Sequence, residues 1–155
     1  MCGISGIISK KNPLDRKNII RMNGMISHRG PDQSGYLEYK NVLLGHVRLS
    51  VIDRSDNGRQ PMSNDGRFWI IFNGEVYNYL EIKDQLIQKN YKFYSKTDTE
   101  VILNAYKEWG TKCFEKFNGD WIIVILDKKK NEIIISRDPI GCKFCYIYED
   151  EHNIA

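Results

Sequence analysis

The chain has 155 residues, 41% of them hydrophobic and 12% aromatic, with a formal net charge of +3. That length is one domain of ordinary size with a substantial core, and that composition excludes a disordered chain. The small charge, the lack of a face-length basic run, and the lack of a membrane-length apolar run or signal peptide argue against nucleic-acid and membrane partners.

The chain opens Met1-Cys2-Gly3-Ile4. If Met1 is removed, Cys2 carries a thiol and a free α-amine on one carbon. With reference pKa values of about 7.7 to 8.0 for the amine and about 8.5 for the thiol, the amine can take the thiol proton. It can later deliver a proton to a leaving amine. A small residue at position 2 suits methionine removal, and Gly3 keeps the approach to sulfur open. The alternative is a chance cysteine beside the initiator. Gly3 to Ser9 reads as an apolar strand. Asp15 to Ser27, with Ile19, Ile20, Met22 and Ile26 at helical spacing, reads as an amphipathic helix. His28-Arg29-Gly30-Pro31-Asp32 forces a turn across which Arg29 and Asp32 are expected to pair. Ser34–Tyr39 and Val42–Ile52 read as strands around Lys40-Asn41. Asp53 to Gln60 is polar and rich in turn formers. Asn64-Asp65-Gly66 signals a hairpin before a strand, Phe68–Phe72, which runs into Asn73-Gly74-Glu75.

A helix follows with Leu80, Lys83, Leu86 and Ile87, the apolar members forming its buried stripe, then a short strand at Tyr91–Tyr94. Thr97-Asp98-Thr99-Glu100 has capping-box spacing before a helix carrying Val101, Ile102, Ala105 and Trp109, stopped by Gly110. Gly119–Asp127 and Glu132–Arg137 form an apolar hairpin around the solvated Lys128-Lys129-Lys130-Asn131. Asp138-Pro139-Ile140-Gly141 turns into a last strand, Phe144–Tyr148. Cys142 and Cys145 have C-x-x-C spacing, but a zinc site takes about four ligands and no second pair exists, so no metal is expected. Four irregularly placed cysteines are no disulfide framework, and a reducing cytoplasm is the expected compartment. Strands in runs with helices beside them indicate an α+β fold with antiparallel sheets.

Amide hydrolysis by a thiolate passes through an oxyanion that needs fixed donors. Asn73-Gly74 offers a side-chain amide and an unencumbered backbone N–H, or else is an ordinary turn. An amino-acid substrate needs a cation for its carboxylate and an anion for its ammonium. Arg48 is the candidate for a bidentate carboxylate contact, or else an exposed strand arginine. Asp98 is the candidate ammonium partner, or else serves the helix dipole.

Seven motifs occur in order: Cys2-Gly3-Ile4-x-Gly6, His28-Arg29-Gly30-Pro31-Asp32, Arg48-Leu49-Ser50, Gln60-Pro61, Asn73-Gly74-Glu75-Val76-Tyr77-Asn78, Asp98-Thr99-Glu100-Val101, and Arg137-Asp138-Pro139-x-Gly141-x-Lys143. Over nearly the whole chain they resemble the class II glutamine amidotransferase domain of glutamine-hydrolysing asparagine synthetases. The resemblance implies an N-terminal-nucleophile hydrolase αββα sandwich, two antiparallel sheets between helical layers, spanning residues 2–155 and lacking its C-terminal end. It implies Cys2 as nucleophile and Asn73 with Gly74 as oxyanion donors. Glutamine would be bound by Arg48, Leu49, Ser50, Val51, Ile52, Asn73, Gly74, Glu75 and Asp98. It implies no cofactor in this domain; ATP and magnesium would act in a partner synthetase domain or subunit absent from this chain. Homodimers are compatible with it. Lys143-Phe144-Cys145-Tyr146 departs from the family's usual Lys/Arg-Pro-Leu-Tyr, and Ile122-Ile123 stand where an alanine is common. A glutaminase for a sugar or peptide acceptor, or a non-catalytic glutamine-binding domain, are the alternative readings. Ile140, Phe144 and Tyr146 are expected to line the docking surface for the partner domain.

Overall fold

The computed structural model describes residues 2–11 and 13–155. The expected removal of Met1 therefore lies outside the described residues. Among the described residues, seven strands and three α-helices form two antiparallel sheets with helices packed on them. The first sheet has the order β2-β3-β1-β7, with β1 at Gly3–Ser9, β2 at Gln33–Tyr39, β3 at Val42–Arg48 and β7 at Asn153–Ile154. The second has the order β4-β5-β6, with β4 at Phe68–Val76, β5 at Gly119–Asp127 and β6 at Glu132–Arg137.

Side-chain alternation along the strands builds the layers. Even-numbered residues of β1 and β3 (Ile4, Ile8, Val42, Leu44) meet Ile71, Ile122, Val124 and Leu126 between the sheets. The opposite face of the second sheet turns Ile70, Phe72, Val76, Trp121, Ile123 and Ile125 toward α2 (Tyr79–Gln88) and α3 (Asp98–Trp109). Helix α1 (Arg16–Met25) covers the other face of the first sheet. It sits close because Gly45 leaves room: a Cβ there would fall 2.3 Å from Asn23 Oδ1. The buried Asn23 answers by accepting from Ser5 Oγ at 2.8 Å and donating to Gly35 O at 3.0 Å. The expected αββα sandwich is the fold observed.

Several local expectations are corrected. Strand β3 ends at Arg48, not Ile52, because residues 52–55 turn back to solvate the Arg48 guanidinium with their carbonyls. Strand β4 continues through Asn73-Gly74-Glu75 to Val76, paired in register with Asp120–Ile122 and ending opposite Gly119, so Asn-Gly is no turn here. Gly74 is required there because a Cβ would sit 2.1 Å from Asp120 O. In α2 the buried residues are Ile82 and Leu86, while Leu80 and Ile87 are exposed. Tyr91–Tyr94 forms no strand; the Glu100 carboxylate takes the amides of Tyr94 and Ser95 instead. Thr97 does cap α3 by accepting from Glu100 N, but Glu100 caps that preceding loop and not Thr97. Gly110 ends the helix at φ 59°, as expected. Phe144–Tyr148 is irregular, its approach fixed by the Asp138 carboxylate on the amides of Cys142 and Lys143. Arg29 and Asp32 do not pair with each other.

Candidate active site

Cys2 stands immediately before β1, on the face that Ile4 and Ile8 turn toward the second sheet. It lines a cleft of about 300 Å³ together with Arg48, Leu49, Val51, Ile52, Asn73, Gly74, Glu75 and Asp98. The cleft therefore brings together every site residue expected from the sequence except Ser50. Ser50 instead supports the loop, its amide donating to Asp32 Oδ2 at 2.7 Å. The Cys2 thiol points along the same segment, donating to Leu49 O at 3.7 Å.

Cys2 is fixed from behind. Arg29 Nε donates to Cys2 O at 3.2 Å. Gly30 lets that turn lie hard on β3, since a Cβ there would be 2.4 Å from the Val47 carbonyl carbon. Asp32 N then donates to Arg48 O at 3.0 Å. The segment that reads in the sequence as a plain turn is thus a brace for both Cys2 and the loop after Arg48.

The edge of β4 supplies the donors. In an antiparallel strand, alternate residues direct both N–H and C=O to the same side. Ile70 N exchanges with Met62, Phe72 N donates to Gln60 Oε1 at 2.7 Å, and Val76 N donates to Asp98 Oδ2 at 3.2 Å, all on the edge away from β5. Gly74 shares that parity. Its N–H therefore points out of the ladder, with no protein acceptor among the described residues. A backbone donor presented to a cleft that also holds a thiol is the arrangement an oxyanion requires. The side chain of Asn73, on the inter-sheet face, lies beside it in the same cleft.

Asp98 is buried at 6% exposure and forms no ion pair among the described residues. Burial raises its pKa to about 6 against the Val76 amide, which lowers it, while the neighbouring Glu75 charge raises it further. A buried carboxylate without a cation is a fit for a ligand ammonium.

Arg48 differs from its sequence reading. It is buried, and its four terminal N–H groups go to Gln33 Oε1 (2.9 Å), Ser55 O (3.0 Å), Ile52 O (3.2 Å) and Asp53 O. Gly58 packs on this guanidinium; a Cβ there would lie 2.0 Å from Nη2. Bidentate capture of a carboxylate by Arg48 is therefore excluded in this arrangement, leaving Nε–H and the loop it shapes. Asp53, held at about 2 chiefly by the Ser55 hydroxyl, ties that loop to Lys96 N at 2.8 Å.

The sequence reading assigned no role to Gln60, His46, Tyr77, Asp120 or Lys143. Gln60, Tyr77, Asp120 and Lys143 line the cleft, and Lys143 pairs with Asp120, which also accepts from Tyr77 Oη at 2.9 Å. The signal for His46 was available: a histidine inside an apolar strand, on the same parity as Arg48. Glu75, Asp98 and Asp120 place three carboxylates in the wall of the cleft, and no described group of His, Cys, Asp or Glu is placed to hold a metal.

The chain matches the family described as glutamine amidotransferase domain over residues 1–155. It is 42% identical over 152 residues to the glutamine-hydrolysing asparagine synthetase 1 of Bacillus subtilis, covering 94% of this chain and 24% of that protein. It is 35% identical over 150 residues to the nodule glutamine-hydrolysing asparagine synthetase of Pisum sativum, covering 95% of this chain and 25% of that protein. The chain thus spans about a quarter of the length of these relatives. Among solved structures, the B. subtilis glutamine phosphoribosylpyrophosphate amidotransferase complexed with ADP and GMP shares the fold at TM-score 0.80 and 17% identity, covering 99% of this chain and 41% of that one.

Proposed function

The chain belongs to the glutamine amidotransferase domain family, and we propose that Cys2, once N-terminal, cleaves the side-chain amide of L-glutamine to glutamate and ammonia. The observation that carries this reading is the meeting, in one cleft, of the Cys2 thiol, the outward N–H of Gly74 and the cation-free carboxylate of Asp98. The glutamine ammonium sits on Asp98, and its α-carboxylate on the loop shaped by Arg48, with Leu49, Val51 and Ile52 as the wall. The α-amine of Cys2 takes the thiol proton. The thiolate attacks the amide carbon, and the oxyanion is held by Gly74 N–H and the Asn73 side-chain amide. Collapse passes the proton to the leaving nitrogen, releasing ammonia and leaving a γ-glutamyl thioester. Water attacks the thioester with the same amine as base, giving glutamate and the free thiol.

The relatives' names, glutamine-hydrolysing asparagine synthetases, support asparagine formation as the destination of the ammonia; in this reading ATP and magnesium act in the domain or subunit that forms it. A cytoplasmic location fits the four unpaired cysteines.

An electrophilic glutamine analogue tests the assignment. It should modify Cys2 in processed protein and be blocked by excess glutamate. Cys113 is buried with its pKa pushed up to about 12 by burial, while Cys142 is exposed. Cys142 is thus the internal control for indiscriminate alkylation. Modification of Cys142 but not Cys2 would overturn the reading.

A further inference from the structure

The proposed chemistry is divided between two sheets. Cys2 leads into β1 of the first, and Asn73 and Gly74 lie on β4 of the second. What lies between the sheets is largely an aliphatic cluster of Ile4, Ile8, Val42, Leu44, Ile71, Ile122, Val124 and Leu126. Such contacts are strong but non-directional, and leave the offset of one sheet against the other loosely specified. An oxyanion donor is far less tolerant, because a displacement of about 1 Å can cost about a hundredfold in rate.

Among the described residues, two side-chain hydrogen bonds tie the sheets together: Tyr39 Oη to Lys128 O at 3.0 Å, just past the far end of β5, and, at the end that carries the site, His46 Nε2 to Phe72 O at 3.1 Å. A carbonyl only accepts, so Nε2 carries the proton of this bond. His46 is 1% exposed, lies opposite Ile4 in the β1–β3 register, and shares the parity of Arg48. Phe72 O belongs to the peptide that leads into Asn73. The amide of Phe72 is held at its other end by Gln60 Oε1 at 2.7 Å. Two residues beyond Gly74, Asp98 holds Val76 N. Gly74 N–H is thus the outward donor between two anchored points of the same edge.

We infer that His46 is a positioning residue for the proposed glutaminase reaction, setting the oxyanion strand against the strand that carries Cys2. The inference rests on the glutaminase reading. It assigns His46 no contact with substrate, and it locates the effect in the tetrahedral state. Glutamine itself should bind normally without His46, because the Arg48 loop and Asp98 hold its two charged ends.

The test uses the 155-residue chain with Cys2 exposed and compares two inhibitors. An aldehyde analogue of glutamine forms a thiohemiacetal with Cys2 and reports on the oxyanion donors. Glutamate reports on the substrate pocket alone. The ratio of their inhibition constants isolates the donors. Three variants are compared: His46→Leu removes the donor, His46→Asn places an amide too close to the backbone, and His46→Gln places one near the position of Nε2. The Asn and Gln variants bury the same chemical group, so a difference between them is not a matter of folding. In His46→Leu and His46→Asn the preference for the aldehyde should fall roughly tenfold or more, together with kcat, while KM holds. His46→Gln should recover most of the loss. An unchanged preference in the folded Asn variant, or equal losses in Asn and Gln, overturns the inference. Failure of the unaltered protein to add the aldehyde at Cys2 overturns instead the glutaminase reading on which it stands.

Discussion

Asp98 shows how one residue's surroundings become a measurable pH dependence. Its folded pKa of about 6 stands above the ordinary carboxylate value of 3.8 because burial penalises the charge. A raised acid contributes its stability below the unfolded value and loses it as pH rises through the folded value. The ligand-free protein therefore gives up stability between about 4 and 6 so that an anion waits in the cleft. A bound ammonium recovers that cost, which predicts that kcat/KM for glutamine falls as pH drops through about 6. Asp98→Asn should abolish that limb and raise KM at neutral pH. It should leave the ligand-free melting temperature at pH 7 unchanged or higher, since Asn can still accept from Val76 N. A normal KM in this variant would confine Asp98 to its helix end. The place of this residue at the head of a capped helix was legible in the sequence. Its burial was not, because the wall that covers it, including Glu75 and Val76, comes from a strand about 20 residues upstream.

At the scale of elements, the loop from Leu49 to Gly58 is held together largely by one side chain. Arg48 supplies donors to Ile52, Asp53 and Ser55 carbonyls, and Asp32 reaches across to Ser50 N. Removing the guanidinium strands several acceptors at once, each worth about 0.5 to 1.5 kcal/mol when paired. Arg48→Ala should therefore free the loop as well as weaken glutamine. The checks are faster proteolytic nicking within residues 49–58 and a rise in KM of at least about tenfold. Arg48→Lys should not rescue either property, because three donors on a point charge cannot replace a planar fork serving four acceptors. Nicking at the wild-type rate in Arg48→Ala would overturn the loop-shaping role of Arg48. Hairpin β5–β6 was legible to the residue, since continuous apolar runs flanking a basic turn have one reading. The loop was not: a single arginine folding its own downstream carbonyls around itself leaves no periodic trace. At Asn73-Gly74 it is the alternative reading, an ordinary turn, that fails, because the dipeptide's turn preference yields to the pairing of β4 with β5.

Over the whole molecule, the two-sheet sandwich leaves one side uncovered. Ile140, Phe144, Tyr146, Ile147 and Tyr148 are 86%, 75%, 89%, 63% and 65% exposed. Beside them an apolar groove of about 250 Å³ opens between the sheets, lined by Ile4, Ile8, Ile122, Ile133 and Cys145. Exposed apolar patches of this kind suit an interaction surface, and Ile140, Phe144 and Tyr146 are the residues the sequence offers for one. We propose that the ammonia-consuming domain covers it. The cleft holding Cys2 is lined by a different set of residues, so uncovering the patch should leave glutamine cleavage intact. The 155-residue chain should then release glutamate and ammonia at a rate indifferent to ATP, magnesium and aspartate, and form no asparagine. It should also self-associate at high concentration, and Phe144→Ser with Tyr146→Ser should reverse this with kcat unchanged. Light scattering and paired glutamate and asparagine assays read both outcomes. ATP stimulation of glutamate release would place a nucleotide site on this chain despite the three carboxylates of its cleft. A fall in kcat in the double variant would mean that the 143–146 segment shapes the cleft itself, through Lys143 and Asp120.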